Sequence, residues 1–181
     1  MHAMGNDRVD RHAPMRILAI LALALAAVLP CSAGQDDELF ASGQQAFAQR
    51  DYRAALEFWT RAAESGHARA LNGLGLLYRD GRGVDIDEKR AVNLFRDAAE
   101  RGFTYAMYNL GMMIREGRGV QNDDIEARKW LVLAATLHFD QKARLQRDLI
   151  GRRMSEAQIA EADRRAQDWV NRALFGVPES R

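Results

Sequence analysis

Apolar residues recur along most of the chain at intervals of three and four positions, the period of an amphipathic α-helix. Within 68–79, one face collects Leu71, Leu74, Gly75 and Tyr78. The next segment repeats the spacing with Ala91, Leu94, Phe95, Ala98 and Ala99. A glycine-rich loop separates the two segments, so the pattern predicts a pair of antiparallel helices.

The whole pattern returns at a fixed distance. Gly81 returns as Gly117, and 117 − 81 = 36 residues. The same offset relates Ala70 to Ala106, Leu74 to Leu110, Gly75 to Gly111, Arg79 to Arg115, Asp87 to Asp123, Ala91 to Ala127 and Ala98 to Ala134. Self-similarity at such a period marks a repeat array. The sequence therefore predicts an all-α fold, an α-solenoid of antiparallel helix pairs.

Aspartate and glycine mark the ends and the contacts of these helices. Asp87 precedes the second helix of its repeat, where the carboxylate can accept hydrogen bonds from first-turn amides. Gly102 follows the last periodic residue, the place of a left-handed C-terminal cap. Gly75 and Gly111 lie inside helices, where glycine costs about 0.5–1 kcal/mol relative to alanine. Because this cost recurs in register, we expect a close helix–helix contact at both glycines.

The sequence Gly-Arg-Gly-Val occurs twice, at 81–84 and 117–120. It is either a joint between paired helices, with the valines packed against them, or an anion site at Arg82 or Arg118. A phosphate loop follows a strand and carries lysine with serine or threonine. Here a helix is predicted before the loop and no Gly-Lys-Ser/Thr occurs, which favours the joint.

Residues 70–102 and 106–138 resemble the Sel1-like repeats, relatives of the tetratricopeptide repeats. The resemblance lies in their Leu-Gly, Gly-x-Gly-Val, central alanine and Ala-Ala elements, although Ile114 replaces a tyrosine and His138 a glycine. Residues 39–66 resemble a tetratricopeptide unit that lacks the glycine-rich insertion. The resemblance implies a helix-pair solenoid that binds partners on a concave surface.

These patterns divide the chain into six segments. They are 1–14, disordered or upstream of the true start; 15–33, a signal peptide; 37–66, a tetratricopeptide-like repeat; 67–102 and 103–138, Sel1-like repeats; and 139–175, C-terminal capping helices. In the last segment, Ser155 and Gln158 have the spacing of a capping box. Polar-faced terminal helices cover the exposed core of a solenoid.

The N-terminal segment predicts export. Arg16 precedes an uninterrupted apolar run, Ile17 to Leu29, which is short for a membrane span of about 20 residues. Small residues follow at 31–33, so we expect cleavage near Gly34 and a periplasmic or secreted protein. An uncleaved membrane anchor and a lipidated Cys31 are the open alternatives.

Composition narrows the choice of partners. The chain has 26 basic and 25 acidic residues and a net charge of +1, so no global field attracts nucleic acid or an anionic membrane. Membrane contact is expected only through an uncleaved signal or a lipidated Cys31. As the single cysteine, Cys31 cannot form an intrachain disulfide.

The sequence carries no motif for catalysis or metal binding. No serine lies in Ser-x-x-Lys or Gly-x-Ser-x-Gly, so we expect no catalytic residue, cofactor or metal. His67 and His138 do not form a zinc pair at helical spacing. The acidic cluster Asp85, Asp87 and Glu88 lacks the spacing of a calcium loop and is interpreted as helix capping. The basic run is interpreted as a solvated face, with anionic lipid or sugar as the alternative; it comprises Lys142, Arg144, Arg147, Arg152 and Arg153.

The tetratricopeptide register places one face of each first helix in a groove. The residues on that face are Gln44, Phe47, Arg69, Asn72, Leu76, Arg79, Tyr105, Tyr108, Met112 and Arg115. Aromatic, methionine and arginine side chains make good interface anchors. The alternative for Tyr105 and Met112 is packing against the next helix.

The groove predicts a protein–protein interaction module, exported, that binds a peptide or helix of a cell-envelope partner. Two alternatives are an envelope scaffold for polysaccharide export and a cell-wall or β-lactam-processing enzyme. The chain lacks the paired cysteines of the Sel1-type proteins that have been linked to β-lactam chemistry, so that activity is not carried over.

Overall fold

The computed structural model describes residues 32–137 and 141–176. Segment 1–14, most of the predicted signal peptide and His138 lie outside these residues. The chain divides into two units, 1–34 and 35–181. Of the first unit, only Ser32–Gly34 are described.

Within the described residues the fold consists of α-helices and contains no strand, which confirms the predicted all-α solenoid. The helices are α1 (Ser32–Ala48), α2 (Tyr52–Glu64), α3 (Ala68–Asp80), α4 (Glu88–Glu100), α5 (Thr104–Glu116), α6 (Asp124–Leu137), α7 (Gln141–Gly151) and α8 (Glu156–Phe175). The first six form three consecutive hairpins. Both α7 and α8 then pack against α6, so the last hairpin is covered by the terminal helices.

The connections inside the hairpins have two lengths. Residues 49–51 join α1 to α2, whereas 81–87 join α3 to α4 and 117–123 join α5 to α6. The first connection is therefore four residues shorter than the other two. This difference corresponds to the glycine-rich insertion that the sequence has in the second and third units alone.

An aspartate begins the second helix of every hairpin. Asp51, Asp87 and Asp123 each accept a hydrogen bond from the backbone N–H three residues later, at 3.1, 2.9 and 3.0 Å. The first-turn amides of a helix have no partner within the helix, so each carboxylate satisfies one of them. The predicted cap at Asp87 and the predicted capping box of Ser155 with Gln158 are both confirmed.

A glycine in the first helix of each hairpin faces a large side chain of the second helix. The facing pairs are Gly43 with Trp59, Gly75 with Phe95, and Gly111 with Leu131. A Cβ atom on Gly75 would lie 2.6 Å from Cε1 of Phe95, closer than two carbon atoms pack. The close helix–helix contact expected at Gly75 and Gly111 is therefore present.

The tryptophan of the first hairpin takes more room than its counterparts. Its indole ring also lies against Gly73 of the next hairpin, where a Cβ would be 2.7 Å from Cε3 of Trp59. The indole Nε1–H donates to the carbonyl oxygen of Phe40 at 3.2 Å. Trp59 therefore joins the backbones of α1 and α3, and it is 4% exposed.

The Gly-Arg-Gly-Val loops join the two helices of a hairpin, as predicted, and they also pack against the preceding hairpin. The second glycine of each loop is left-handed, with φ of +73° at Gly83 and +70° at Gly119. Gly83 lies against the first residue of α2, Tyr52, and Gly119 against the first residue of α4, Glu88. A side chain at either glycine would occupy the space of the preceding hairpin.

The arginines of these loops also contact the preceding hairpin. Arg118 donates from Nε to the Glu88 carboxylate at 2.7 Å. The guanidinium of Arg82 lies 5.6 Å from the ring centroid of Phe47 and 5.8 Å from that of Tyr52. These contacts within the chain support the joint over the anion site.

We predict that Gly119→Ala destabilises the fold more than a glycine-to-alanine change at a left-handed glycine with no neighbouring atoms. The variant combines left-handed strain with a clash of the new Cβ against Glu88, and the expected loss in the free energy of unfolding is about 2–5 kcal/mol. Urea denaturation followed by circular dichroism measures the loss.

Gly102→Ala is the matched control for this prediction. Gly102 has φ of +84° and no heavy atom within 4 Å of an added Cβ, so strain alone should cost about 1–2 kcal/mol. Equal losses in the two variants would show that Gly119 does not hold the hairpins together.

Candidate binding groove

A groove of about 630 Å³ runs along the first helices of the three hairpins. Its lining residues come from α1, α3 and α5, with single contributions from α2 and α7 and from Phe103 just before α5. They are Phe40, Gln44, Phe47, Trp59, Arg69, Asn72, Gly73, Leu76, Arg79, Phe103, Tyr105, Tyr108, Asn109 and Lys142. Eight of the ten predicted groove residues lie in this lining, while Met112 and Arg115 do not. Their role in binding stays a prediction.

Aromatic rings form both ends of the groove. At the first hairpin, the ring centroids of Phe40 and Phe47 lie 6.3 and 5.5 Å from that of Trp59. At the third hairpin, Phe103 and Tyr105 are 5.6 Å apart, and Tyr105 is 52% exposed. Phe40 and Trp59 are buried, whereas the exposed ring of Tyr105 offers apolar surface at little entropic cost, as interface anchors do.

A pair of asparagines lies between the two aromatic clusters. The Asn109 side-chain amide donates to Oδ1 of Asn72 at 3.0 Å, which joins α5 to α3. Asn72 is 9% exposed and is the buried polar residue of the described core. A buried amide costs free energy unless it is hydrogen-bonded, so this pair fixes the position of α5 relative to α3 within the groove.

The charged residues of the lining are all cations: Arg69, Arg79 and Lys142. The guanidinium of Arg69 lies 4.2 Å above the Phe40 ring, a cation–π distance. Arg79 donates to both carboxylate oxygens of Asp80, at 2.7 and 3.2 Å. The hydrogen bond from Arg79, with the charges of Arg79 and the nearby arginines, lowers the pKa of Asp80 below 3.8 against the opposing effect of burial.

The helix α7 accounts for one of the two predicted groove residues that are not in the lining. Arg115 donates to the side-chain oxygen of Gln146 in α7 and lies 3.8 Å from Glu116. Met112 is partly buried against the main core. The in-register arginines Arg79 and Arg115 thus each lie next to the acidic residue that follows them in the sequence. Only Arg79 reaches the groove.

Sequence reasoning missed six lining residues: Phe40, Trp59, Gly73, Phe103, Asn109 and Lys142. Trp59 and Gly73 lie outside the first-helix face that the register selects. Their contact crosses from one hairpin to the next, and the register describes positions within a single repeat. Lys142 belongs to α7, whose path no repeat pattern specifies. Asn109 occupies the position of Gly73 in the following repeat, so it too lies outside the face that the register selects.

The histidine at the start of α3 has a capping role. Nδ1 of His67 accepts a hydrogen bond from the Ala70 backbone N–H at 3.2 Å, and Nε2 lies 3.1 Å from the Asp37 carboxylate. His67 is therefore the N-cap residue of α3. Within 32–137 and 141–176, no cluster of His, Cys, Asp or Glu could hold a metal ion, and no helix is long and apolar enough to cross a membrane.

The basic run of the C-terminal segment is dispersed by the fold. Arg147 pairs with Asp148 at 2.8 Å, and Arg153 donates from Nε to Asp124 at 2.8 Å. Lys142 instead reaches the groove. The run is therefore not a continuous cationic patch.

A second cavity, of about 350 Å³, lies between α6 and α8 and is lined by charges of both signs. Its residues are Glu126, Lys129, Glu161, Arg164, Arg165, Asp168 and Arg172. Hydrogen bonds from Arg164 and Arg165 lower the pKa of Glu161 to about 2. The paired charges describe a solvated ionic network that joins the terminal helix to the last hairpin.

The Sel1 repeat family model matches three consecutive stretches of the chain, residues 34–67, 68–103 and 104–139. Together they make up more than half of the 181 residues. The first match covers the hairpin with the short connection, so that unit also falls within the Sel1 pattern. No curated protein matches the chain.

Two solved structures share the fold. A protective antigen of uropathogenic Escherichia coli with an SLR fold aligns with a TM-score of 0.72 at 24% identity, over 82% of this chain and 34% of that one. A Sel1 repeat protein from Oxalobacter formigenes aligns with a TM-score of 0.59 at 28% identity, over 65% of this chain and 35% of that one. The chain therefore spans about a third of the length of each.

The pairing of Arg79 with Asp80 predicts a pH dependence of stability. Because the folded-state pKa of Asp80 is lowered, the pair stabilises the fold fully above about pH 4, near the unfolded pKa. This stability is lost as the pH falls through the folded-state pKa. We expect the stability difference between the natural chain and Asp80→Asn to narrow below pH 4.

Carboxyl resonances followed by NMR during an acid titration measure the Asp80 midpoint directly. In Arg79→Gln the largest cause of the shift is removed, so the midpoint should rise. An unchanged midpoint in that variant would contradict the pairing.

Proposed function

Since the chain belongs to the Sel1 repeat family, whose repeats generally mediate protein–protein interactions, we propose that it is an exported interaction module without enzymatic activity. In this proposal a peptide segment or a helix of a cell-envelope protein occupies the groove. The partner contacts the first helices of all three hairpins at once.

The observation that carries the proposal is the exposed side chain of Tyr105 inside the groove, beside the partly exposed rings of Phe103 and Tyr108. Large side chains at the groove wall are usually covered in a folded protein, yet Tyr105 is half exposed. Binding hot spots are rich in tyrosine, tryptophan and arginine that cluster in a concave surface. The groove combines these residue types with the amide of Asn109, which is partly exposed and can serve the backbone of a bound segment.

Export is supported by the N-terminal sequence. The apolar run from Ile17 to Leu29 follows Arg16 and ends shortly before small residues, the order of regions in a secretory signal peptide. The absence of Ser-x-x-Lys and Gly-x-Ser-x-Gly motifs from the sequence supports a binding role over a hydrolytic one.

We predict that a photo-crosslinker in the groove captures one dominant partner in cells. Tyr105 is replaced by p-benzoylphenylalanine, because its side chain is in the groove and exposed. The matched control carries p-benzoylphenylalanine in place of Glu57, which is exposed on α2 and lies outside the groove. Mass spectrometry identifies the crosslinked protein.

Tyr108→Ala in the same chain should reduce the yield of the groove crosslink. If both positions capture the same protein equally, and Tyr108→Ala changes neither yield, the groove is not the binding surface. Circular dichroism of each variant confirms that the helices are retained.

We predict that the mature chain recovered from cells begins near Gly34. Intact-mass spectrometry of the purified protein measures the N-terminus, because cleavage by a signal peptidase removes the preceding residues. A mass that includes a lipid on Cys31 would mean a membrane-anchored protein instead. A mass that includes Met1 or Met15 in the whole population would contradict cleavage.

A further inference from the structure

We propose that the occupant of the groove is an acidic peptide segment whose apolar side chains pack on the aromatic rings. This inference rests on the proposed function and adds the chemistry of the partner. It follows from the charge of the lining, the position of its cations and the aromatic surface between them.

The charge of the groove differs from that of the chain. Acidic and basic residues are nearly equal in number over the whole sequence, 25 against 26. The lining nevertheless contains Arg69, Arg79 and Lys142 and no aspartate or glutamate. A concave surface with charge of one sign raises the local concentration of a partner of the opposite sign and disfavours partners of like sign.

The two arginines of the lining differ in what they offer a ligand. Arg79 is held by both oxygens of Asp80, so its charge is largely compensated. Arg69 instead stacks on Phe40 at 4.2 Å, and no ion pair of the described residues includes it. A guanidinium fixed on a ring keeps its N–H fork available for a carboxylate.

Arg69 and Lys142 lie on different elements of the groove. Arg69 is in the first turn of α3, and Lys142 is in the first turn of α7. Carboxylates spaced along one bound segment can meet both, while apolar side chains between them contact Phe103, Tyr105 and Tyr108. This arrangement favours a peptide over nucleic acid, because nucleic-acid affinity comes from many phosphate contacts and the lining has three cations.

A display selection tests the inference. Short random peptides displayed on phage are selected against the full chain, and the enriched peptides are synthesised with a fluorescent label. Their affinities are measured by anisotropy for the natural chain, for Tyr105→Ala, for the double variant Arg69→Gln with Lys142→Gln, and for Arg61→Gln. Arg61 is exposed on α2 and is not in the lining, so it controls for a general change in charge.

We expect the enriched peptides to be acidic and to contain apolar residues. Tyr105→Ala should lower their affinity for the chain. The double variant should lower it about 2–30-fold, and Arg61→Gln should leave it unchanged. Raising the salt concentration should weaken binding to the natural chain more than binding to the double variant.

Two other outcomes separate the inference from the function on which it rests. If the enriched peptides are neutral or basic and bind Tyr105→Ala more weakly, the inference that the partner is acidic is wrong. The groove would then remain the binding surface. Peptides indifferent to Tyr105→Ala and to the double variant, or a selection without enrichment, would overturn the proposed function and the inference together. Tyr105 is half exposed, so its truncation tests binding without removing core packing.

Discussion

The close approach of the two helices in each hairpin, permitted by a glycine opposite a large side chain, is the contact on which the structure depends. Gly75 faces Phe95, and Gly111 faces Leu131. Glycine weakens an isolated helix, so the gain comes from the packing of the opposing side chain against bare backbone. The second and third hairpins are therefore tight units that repeat the same glycine contact.

The Gly-Arg-Gly-Val loops inside the hairpins use glycine for a second reason. Gly83 and Gly119 are left-handed and lie directly against the preceding hairpin, so the loop packs where a side chain would separate the units. These contacts fix each hairpin against the one before it, and the Asn109–Asn72 hydrogen bond aligns α5 with α3. That alignment brings residues of α1, α3 and α5 into one groove.

The groove departs from simple repetition, and these departures give it its chemistry. Trp59 takes the place of Phe95 and needs Gly73 beside it, while Asn109 occupies the corresponding position in the next repeat and bonds to Asn72. At the far end α7 contributes Lys142 and contacts Arg115 through Gln146. A surface built from identical repeats would be uniform, whereas this one has aromatic ends, an amide centre and cations alone among its charges.

The sequence by itself determined the helices, their pairing and the face that lines the groove, because these depend on local periodicity, on capping residues such as Asp87 and on glycines repeated in register. It did not determine which side chains cross between hairpins, as Trp59 does when it packs against Gly73, because that contact depends on the relative placement of neighbouring units. Only the tertiary structure decided that α7 places Lys142 in the groove while Arg115 pairs outside it. The path of α7 follows no repeat and is set by its packing against α6, which no local pattern encodes.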